Sequence, residues 1–504
     1  MSVDSNSSGR ARNIATGIRS LTIQNLLNSV LALIFLAVAL RELSQQEFGV
    51  YTAAVLCATI VSTVASFGLQ SAAARFVAML QDRDQAKSWA AARAILVLSL
   101  VFGLATALVL AGLSPLLSLY FTRSTSSTLA FVVAASYAFT GTLSPSFQGL
   151  VQGLKKYGLL ARILLVSRTA MVVFMIVGIY DTHSLFVPIL SWTVYNTIII
   201  FWSLKLTAKG LFVSNKNREY TNVIRYIAPL EIAGAVNVAS TYSDRIVVGG
   251  FLGSTKLGIY NAAVYASNVL SVVLLSPLNT AFLPEVSSSS SRSPAEITTG
   301  VRLAMRFAGL TILPASFAVA AMSEQLLKLL AGSNQYLAGT LSLQILAGLF
   351  IFTALQGILS SLLQAVGKTT PVMIIGVAMV ATDIGMALAL VPIIGITGAA
   401  LSDGFVGVVG FFVALWFTKQ YFTNVRDDSL YYTKVVAGSF AVLLVVLALS
   451  RFVSSRPLTL LPYPIIAFLV YLGCLKLLRV LEQEDKQYLS HIIPHRLRAI
   501  VEFL

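Results

Sequence analysis

The feature that most constrains this chain is a succession of apolar stretches, each about 20 residues long, recurring from residue 19 to residue 480. About 20 apolar residues carry a helix across the hydrocarbon core of a bilayer, where backbone polar groups must be satisfied within the helix itself. Fourteen stretches are expected, at approximately 19–40, 48–71, 91–113, 129–152, 159–180, 185–206, 223–250, 258–283, 303–323, 340–365, 371–392, 397–418, 432–451 and 461–480. The seventh and ninth carry charges and are the weakest of the set. Composition excludes a soluble domain, because 57% of the 504 residues are hydrophobic and 11% charged, against about 25% charged in ordinary domains. Residues 2–19 are polar and basic, without a short apolar core and cleavage site, so the first span is expected to stay in the mature protein.

The charge distribution sets the orientation. The net charge of +15 would suit a polyanion, but the basic residues fall in short clusters between apolar runs, which argues against nucleic acid. With fourteen spans, about 27 of the Lys and Arg residues fall on the side of the N-terminus and about 6 on the other. Both termini are therefore expected in the cytoplasm, in a multi-pass protein of the plasma or inner membrane. Arg168 and Arg245 remain inside spans. Cys57 and Cys474 lie in apolar runs and read as small core residues; no Cys/His spacing suggests a metal site.

An internal repeat organises the spans. Phe48-Gly49-Val50-Tyr51-Thr52-Ala53-Ala54-Val55 opens span 2, and Leu257-Gly258-Ile259-Tyr260-Asn261-Ala262-Ala263-Val264 opens span 8 at an offset of 209. Arg93 and Arg302 share that offset, and Gln152-Gly153-Leu154-Lys155-Lys156 resembles Gln364-Ala365-Val366-Gly367-Lys368. Six spans separate each pair, so the halves are parallel copies related by an axis along the membrane normal. The expected class is an all-α integral membrane protein of 14 transmembrane helices, with two parallel-repeat six-helix lobes and two extra C-terminal helices. Its parts are a cytoplasmic N-terminal segment (1–18), an N-lobe (19–206), a cytoplasmic linker (207–222), a C-lobe (223–418), accessory spans (432–480) and a cytoplasmic amphipathic tail (481–504). The linker Ser287 to Ser293 is flexible by composition, and no segment is long enough for a soluble catalytic domain.

Polar residues at helical spacing supply the candidate site. Asn237, Ser240, Thr241 and Asp244 on span 7 share one face, and Asn261, Tyr265 and Asn268 on span 8 follow a similar phase. Span 2 offers Thr59, Ser62, Thr63, Ser66 and Gln70, and span 4 offers Tyr137, Thr140, Ser144 and Gln148. Span 10 adds Thr353, Gln356, Ser360 and Gln364, and span 1 adds Gln24, Asn25 and Asn28. Repeated stripes suggest a hydrophilic cavity, although Ser, Thr and Asn also glue helices together in lipid.

Arg168 sits about 16 Å into span 5. An Arg at mid-bilayer costs about 2.5 to 3.5 kcal/mol on insertion scales, so it should face protein, water or an anion. Its planar fork suits phosphate oxygens, the alternative being an ion pair within the protein. Arg245 is close enough to the outer surface to snorkel. Asp244, Asp383 and Asp403 would form a carboxylate cluster that binds sodium or a proton, or else serve as hydrogen-bonded structural groups. Arg75, Arg93, Arg302 and Arg306 at the cytoplasmic surface read as topology determinants, and a basic mouth would also attract a pyrophosphate.

Several motifs carry a family resemblance. Leu43-Ser44-Gln45-Gln46-Glu47-Phe48-Gly49-Val50-Tyr51, ahead of a Gly68-Leu69 helix end, resembles the first outer turn and second helix of polysaccharide flippases of the Wzx type. Tyr242-Ser243-Asp244-Arg245-Ile246-Val247-Val248-Gly249-Gly250-Phe251-Leu252-Gly253, followed by Leu257-Gly258-Ile259-Tyr260, resembles their seventh-to-eighth helix signature. Pro284 and Gln364-Ala365-Val366-Gly367-Lys368 also fit, and the resemblance spans essentially the whole chain.

It implies membership of the multidrug/oligosaccharidyl-lipid/polysaccharide exporter superfamily, with two six-helix lobes opening alternately to each side. It also implies a substrate, a polyprenyl- or dolichyl-(pyro)phosphate-linked oligosaccharide, moved from the cytoplasmic to the outer leaflet for cell-surface polysaccharide or glycoprotein synthesis. In the related lipid II flippases a sodium site lies on helices 7, 11 and 12, the helices that here carry Asp244, Asp383 and Asp403. Expected partners are the lipid-linked substrate, membrane lipids and glycan-assembly proteins, with the chain a monomer and no cofactor beyond a sodium or proton gradient. Competing readings are a cation-coupled multidrug exporter, a membrane glycosyltransferase, ligase or polymerase, which would need a large external loop or an exposed acidic motif, and a non-transporting scaffold.

Overall fold

The computed structural model describes residues 24, 27–81, 85–211, 220–275, 294–366, 368–419, 425–452 and 462–480. The N-terminal segment, Asn25, residues 212–219 of the 207–222 linker, Pro284, the Ser287–Ser293 linker and the tail lie outside the described residues. Among the described residues there is no β-strand, and fourteen helices follow the order of the expected spans. They are α1 (residues 27–42), α2 (Gln45–Gln81), α3 (Gln85–Thr122), α4 (Thr128–Gly153), α5 (Tyr157–Thr182), α6 (Phe186–Leu211) and α7 (Tyr220–Leu252). The remainder are α8 (Ser254–Leu270), α9 (Pro294–Ala321), α10 (Thr340–Ala365), α11 (Thr369–Ile394), α12 (Ile396–Thr418), α13 (Val425–Phe452) and α14 (Pro462–Leu477). A short helix, Ser323–Ala331, connects α9 to α10.

Ten of these helices are long and apolar enough to cross a membrane by length and composition. Of the other four, α7 is a continuous helix that carries Glu231, Asp244 and Arg245 along its length, and α1, α8 and α14 have 16, 17 and 16 described residues.

Local chemistry explains the helix boundaries. Ser44 and Glu47 form a capping box ahead of α2: the Ser44 amide and hydroxyl both donate to the Glu47 carboxylate, at 2.9 and 2.7 Å, while the Glu47 amide donates to Ser44 Oγ at 3.2 Å. The α7–α8 turn uses Gly253 at φ +83°, a left-handed conformation open to a residue without Cβ.

Packing divides the chain into two compact units, Met1–Asn261 and Ala262–Leu504. The repeat counts span 7 as the head of the second half, whereas α7 packs on α2 and α3 and so belongs to the first unit. In the first unit the helices meet through small residues, as expected where lipid gives apolar side chains no reason to leave it. Helix α3 buries Ser99, Gly103, Thr106, Leu110, Ser114 and Ser118 along one face, while Leu108 (72% exposed) and Leu116 (63%) point outward. Thr106 and Thr142 hydroxyls meet at 3.2 Å between α3 and α4. A Cβ on Gly149 of α4 would stand 2.3 Å from the Gln70 carbonyl oxygen of α2, so the absent side chain sets that crossing.

The second unit is held by a core that includes Ala308, Ala354, Leu359, Ala414, Val435 and Tyr471. Tyr431 and Tyr471 donate to the carbonyls of Arg306 and Leu310 on α9, at 3.2 and 2.8 Å, which anchors α13 and α14 to it.

Candidate functional site

The first unit encloses a cavity of about 430 Å³ among α2, α4 and α6, within the range of small-ligand sites. Helix α2 contributes Ser62, Thr63, Ser66, Gln70 and Ser71, a polar stripe legible in the sequence except for Ser71. Helix α4 contributes Tyr137, Gly141 and Pro145. Pro145 lacks an N–H, so it cannot donate the helical bond to the Gly141 carbonyl four residues back, and the helix wall carries an extra acceptor there. Helix α6 supplies Trp192, Tyr195 and Asn196. Sequence reasoning missed this third wall, although spacings of three and four residues place the trio on one face.

The aromatic wall is fixed by neighbours. Trp192 and Tyr137 rings lie 5.6 Å apart with planes inclined at 34°, and Trp192 meets Tyr195 edge-on at 6.4 Å. Trp192 Nε1 donates to the Tyr51 hydroxyl at 3.2 Å, and the hydroxyls of Thr59 and Tyr137 are 3.1 Å apart. Asn196 Nδ2 donates to the Trp192 carbonyl at 3.2 Å.

Arg168 does not line this cavity. Its guanidinium carbon lies 5.1 Å from the Trp192 ring centroid and 5.9 Å from that of Tyr195, and Nη1 donates to Met171 Sδ at 3.3 Å. A cation at these distances is held by the ring quadrupoles. Arg245 lies 5.2 Å from the Tyr242 ring on its own helix. At the other basic positions, Arg75 stacks on Tyr226 at 4.7 Å and buried Arg306 on Tyr431 at 4.6 Å.

The remaining expected site residues are dispersed. Gln70 and Tyr137 line the cavity. Gln148 on α4 donates to Ser144 at 3.2 Å, and half-buried Asn28 lies on α1. Thr241 is exposed on α7, which also carries Asn237, and Asn261 is buried on α8. In the second unit, Tyr265 and Asn268 are exposed on α8, and Gln356 donates to Ser360 within α10 at 2.8 Å.

The three candidate coupling carboxylates have separate settings. Asp244 on α7 is buried and accepts from the Tyr260 hydroxyl of α8 at 2.6 Å. Asp383 on α11 is buried, and the Ser402 hydroxyl of α12 lies 3.0 Å from its Oδ1 and 2.8 Å from its carbonyl. Asp403 is exposed on α12. Among the described residues no group of three or more His, Cys, Asp or Glu side chains is placed to hold a metal ion.

The two signature motifs meet each other. Asp244 of the span 7 signature holds Tyr260 of the repeated Leu-Gly-Ile-Tyr sequence. Gly249 and Gly250 leave room for Phe121 and Tyr120 of α3, whose side-chain atoms a Cβ would approach to 2.3 and 1.9 Å. Arg123 Nη2 donates to the Gly250 carbonyl. Gly258 faces its repeat counterpart, Gly49: a Cβ on Gly258 would stand 3.0 Å from the Gly49 Cα, and one on Gly49 2.0 Å from the Ser254 carbonyl oxygen. The duplicated glycines therefore permit a close approach of α2 and α8.

Comparison with known proteins is consistent with this architecture. Residues 38–338 match the model of a family described as polysaccharide biosynthesis protein. A lipid II flippase, MurJ, in an inward closed conformation is similar in fold, with a TM-score of 0.77 and 14% identity over 94% of this chain and 99% of that one. An inward-facing multidrug resistance transporter of the MATE family has a TM-score of 0.59 and 16% identity over 80% of this chain and 95% of that one. A further transporter of the same superfamily, from Pyrococcus furiosus, has a TM-score of 0.52 and 14% identity over 80% of this chain and 96% of that one. No curated protein matches the sequence.

Proposed function

Because the chain belongs to the family of polysaccharide biosynthesis proteins, we propose that it flips a polyprenyl- or dolichyl-(pyro)phosphate-linked oligosaccharide from the cytoplasmic to the outer leaflet by alternating access. Its apolar helices and structural likeness establish a multi-pass membrane protein with the fold of flippases and transporters. The observation that carries this reading is the first unit's cavity, walled by hydroxyls, amides and aromatic rings, with a guanidinium against two of those rings. Moving a glycan head group through hydrocarbon requires that protein groups replace its hydration. The hydroxyl and amide groups of α2 and α6 do this for sugar hydroxyls, while the lipid tail stays in the bilayer.

In this proposal Arg168 and Arg245 supply positive charge for the phosphates, Arg168 after leaving its ring contacts. Asp244, Asp383 and Asp403 are the coupling carboxylates. Loading Asp244 or Asp383 with a proton or sodium ion would alter a hydrogen bond between neighbouring helices, α7 to α8 or α11 to α12. The termini face the cytoplasm, as the distribution of basic residues requires. A cation exporter would want carboxylates around its cavity, and among the described lining residues none is acidic. The chemistry is movement without bond cleavage, so no catalytic residue is assigned.

The test is transport in proteoliposomes of a fluorescent lipid-linked glycan, followed by loss of its accessibility to an added lectin or quencher. The wild-type chain should accelerate flipping, and Arg168→Ala should slow it at least tenfold. Flipping at the protein-free rate by folded wild-type protein refutes the function, whereas an undiminished rate in Arg168→Ala refutes the role of that residue.

A further inference from the structure

We infer that the α2–α4–α6 cavity is a subsite for an uncharged sugar ring, so that the chain discriminates against glycans bearing a carboxylate at that position. The inference rests on the flippase reading and names the substrate class of its site. The described lining residues include no Asp, Glu, Lys, Arg or His side chain. What they offer divides into neutral donors and acceptors, such as Ser62, Ser66, Gln70 and Asn196, and aromatic rings. A pyranose has the same division: equatorial hydroxyls around its rim and an apolar patch of C–H bonds on its face.

The geometry adds three reasons. First, Trp192 contacts both Tyr137 and Tyr195, with centroids at 5.6 and 6.4 Å, and the three rings offer apolar surface to C–H groups. Their π faces carry partial negative charge, which disfavours a carboxylate against them. Second, Arg168 does not line the cavity and is engaged by those rings and by Met171, so a carboxylate inside the cavity would have to draw it away from them. A buried charge without a partner is strongly disfavoured, whereas a hydroxyl needs only the neutral groups present. Third, Gly141 lets α4 lie close to Ser62, which a Cβ there would approach to 3.2 Å, and Pro145 leaves the Gly141 carbonyl without its helical donor, an acceptor that suits a hydroxyl and repels a carboxylate.

The experiment measures equilibrium binding of two short-chain isoprenyl-phosphate disaccharides to the full-length chain in nanodiscs. One probe has two neutral hexoses; in the other a hexuronic acid replaces the terminal hexose. The neutral probe should bind at least tenfold more tightly. Ser66→Lys, which introduces a cation into the cavity, should remove or reverse that preference, and Tyr137→Phe, which keeps the ring, should retain it. Equal or tighter binding of the uronic acid probe by the wild type overturns the inference, as does a preference untouched by Ser66→Lys in folded protein. Transport of both glycans at the same rate in proteoliposomes leaves the flippase standing and removes this selectivity; transport of neither removes the flippase itself.

Discussion

Replacing Gly49 with alanine is the sharpest test of how the first unit closes at the α1–α2 end, which the charge distribution places outside. The added Cβ would lie 2.0 Å from the Ser254 carbonyl oxygen, 2.5 Å from its carbon and 3.0 Å from the Thr255 nitrogen. All three are backbone atoms in the first turn of α8, so no side-chain rotation relieves them. Ordinary contact begins near 3.4 Å, and the helices must separate by about 1.4 Å at this point. Overpacking of this kind costs about 1–3 kcal/mol, and a coupling of that size corresponds to roughly a 5- to 150-fold change in the closed-to-open ratio.

The assay uses Cys57→Ala and Cys474→Ala to remove the native thiols, followed by Ala53→Cys. Ala53 is fully buried one helical turn beyond Gly49. A membrane-impermeant maleimide applied outside should label this thiol slowly in the parent and about 5- to 150-fold faster with Gly49→Ala. Gly112→Ala is the control, because its Cβ would meet no atom within 4 Å. An unchanged rate in folded Gly49→Ala protein, or an equal rise with Gly112→Ala, would refute the proposed closure at the paired glycines.

Other outcomes follow from single contacts. Tyr260→Phe removes the hydroxyl that Asp244 accepts from at 2.6 Å and should destabilise the protein by about 1–3 kcal/mol, since a buried acceptor loses its donor; thermal unfolding beside Asp244→Asn and the double variant will show whether the two losses are coupled. Pro145→Ala restores an N–H opposite the Gly141 carbonyl and should weaken binding of the neutral glycan severalfold without lowering the melting temperature, because the helix gains a bond while the cavity loses an acceptor. Ser44→Ala breaks the capping box ahead of α2 and should cost about 0.5–2 kcal/mol; an unchanged melting curve would show that this turn contributes little to the fold.

Much of the architecture is legible along the chain because it depends on local properties. Burial in lipid needs only a run of apolar residues, so the fourteen spans can be read without knowing any partner. A polar stripe such as Ser62, Ser66 and Gln70 shows its face through helical spacing alone, and it does line the cavity. The duplicated Phe-Gly-Val-Tyr and Leu-Gly-Ile-Tyr segments reveal the repeat, but not that their glycines touch.

The sequence by itself determined a polytopic helical protein and one wall of its cavity, since each follows from the order and spacing of residues within one helix. Only the tertiary structure decided that Trp192, Tyr195 and Asn196 complete that cavity, that Arg168 leans on two of those rings, and that Asp244 and Asp383 are held by Tyr260 and Ser402 respectively. Tyr137 and Trp192 are separated by 55 positions in the chain yet 5.6 Å in space. Such a pairing is chosen by which helices can approach closely, and the glycines and hydroxyls that permit the approach act on surfaces whose partners no periodicity within a single helix can identify.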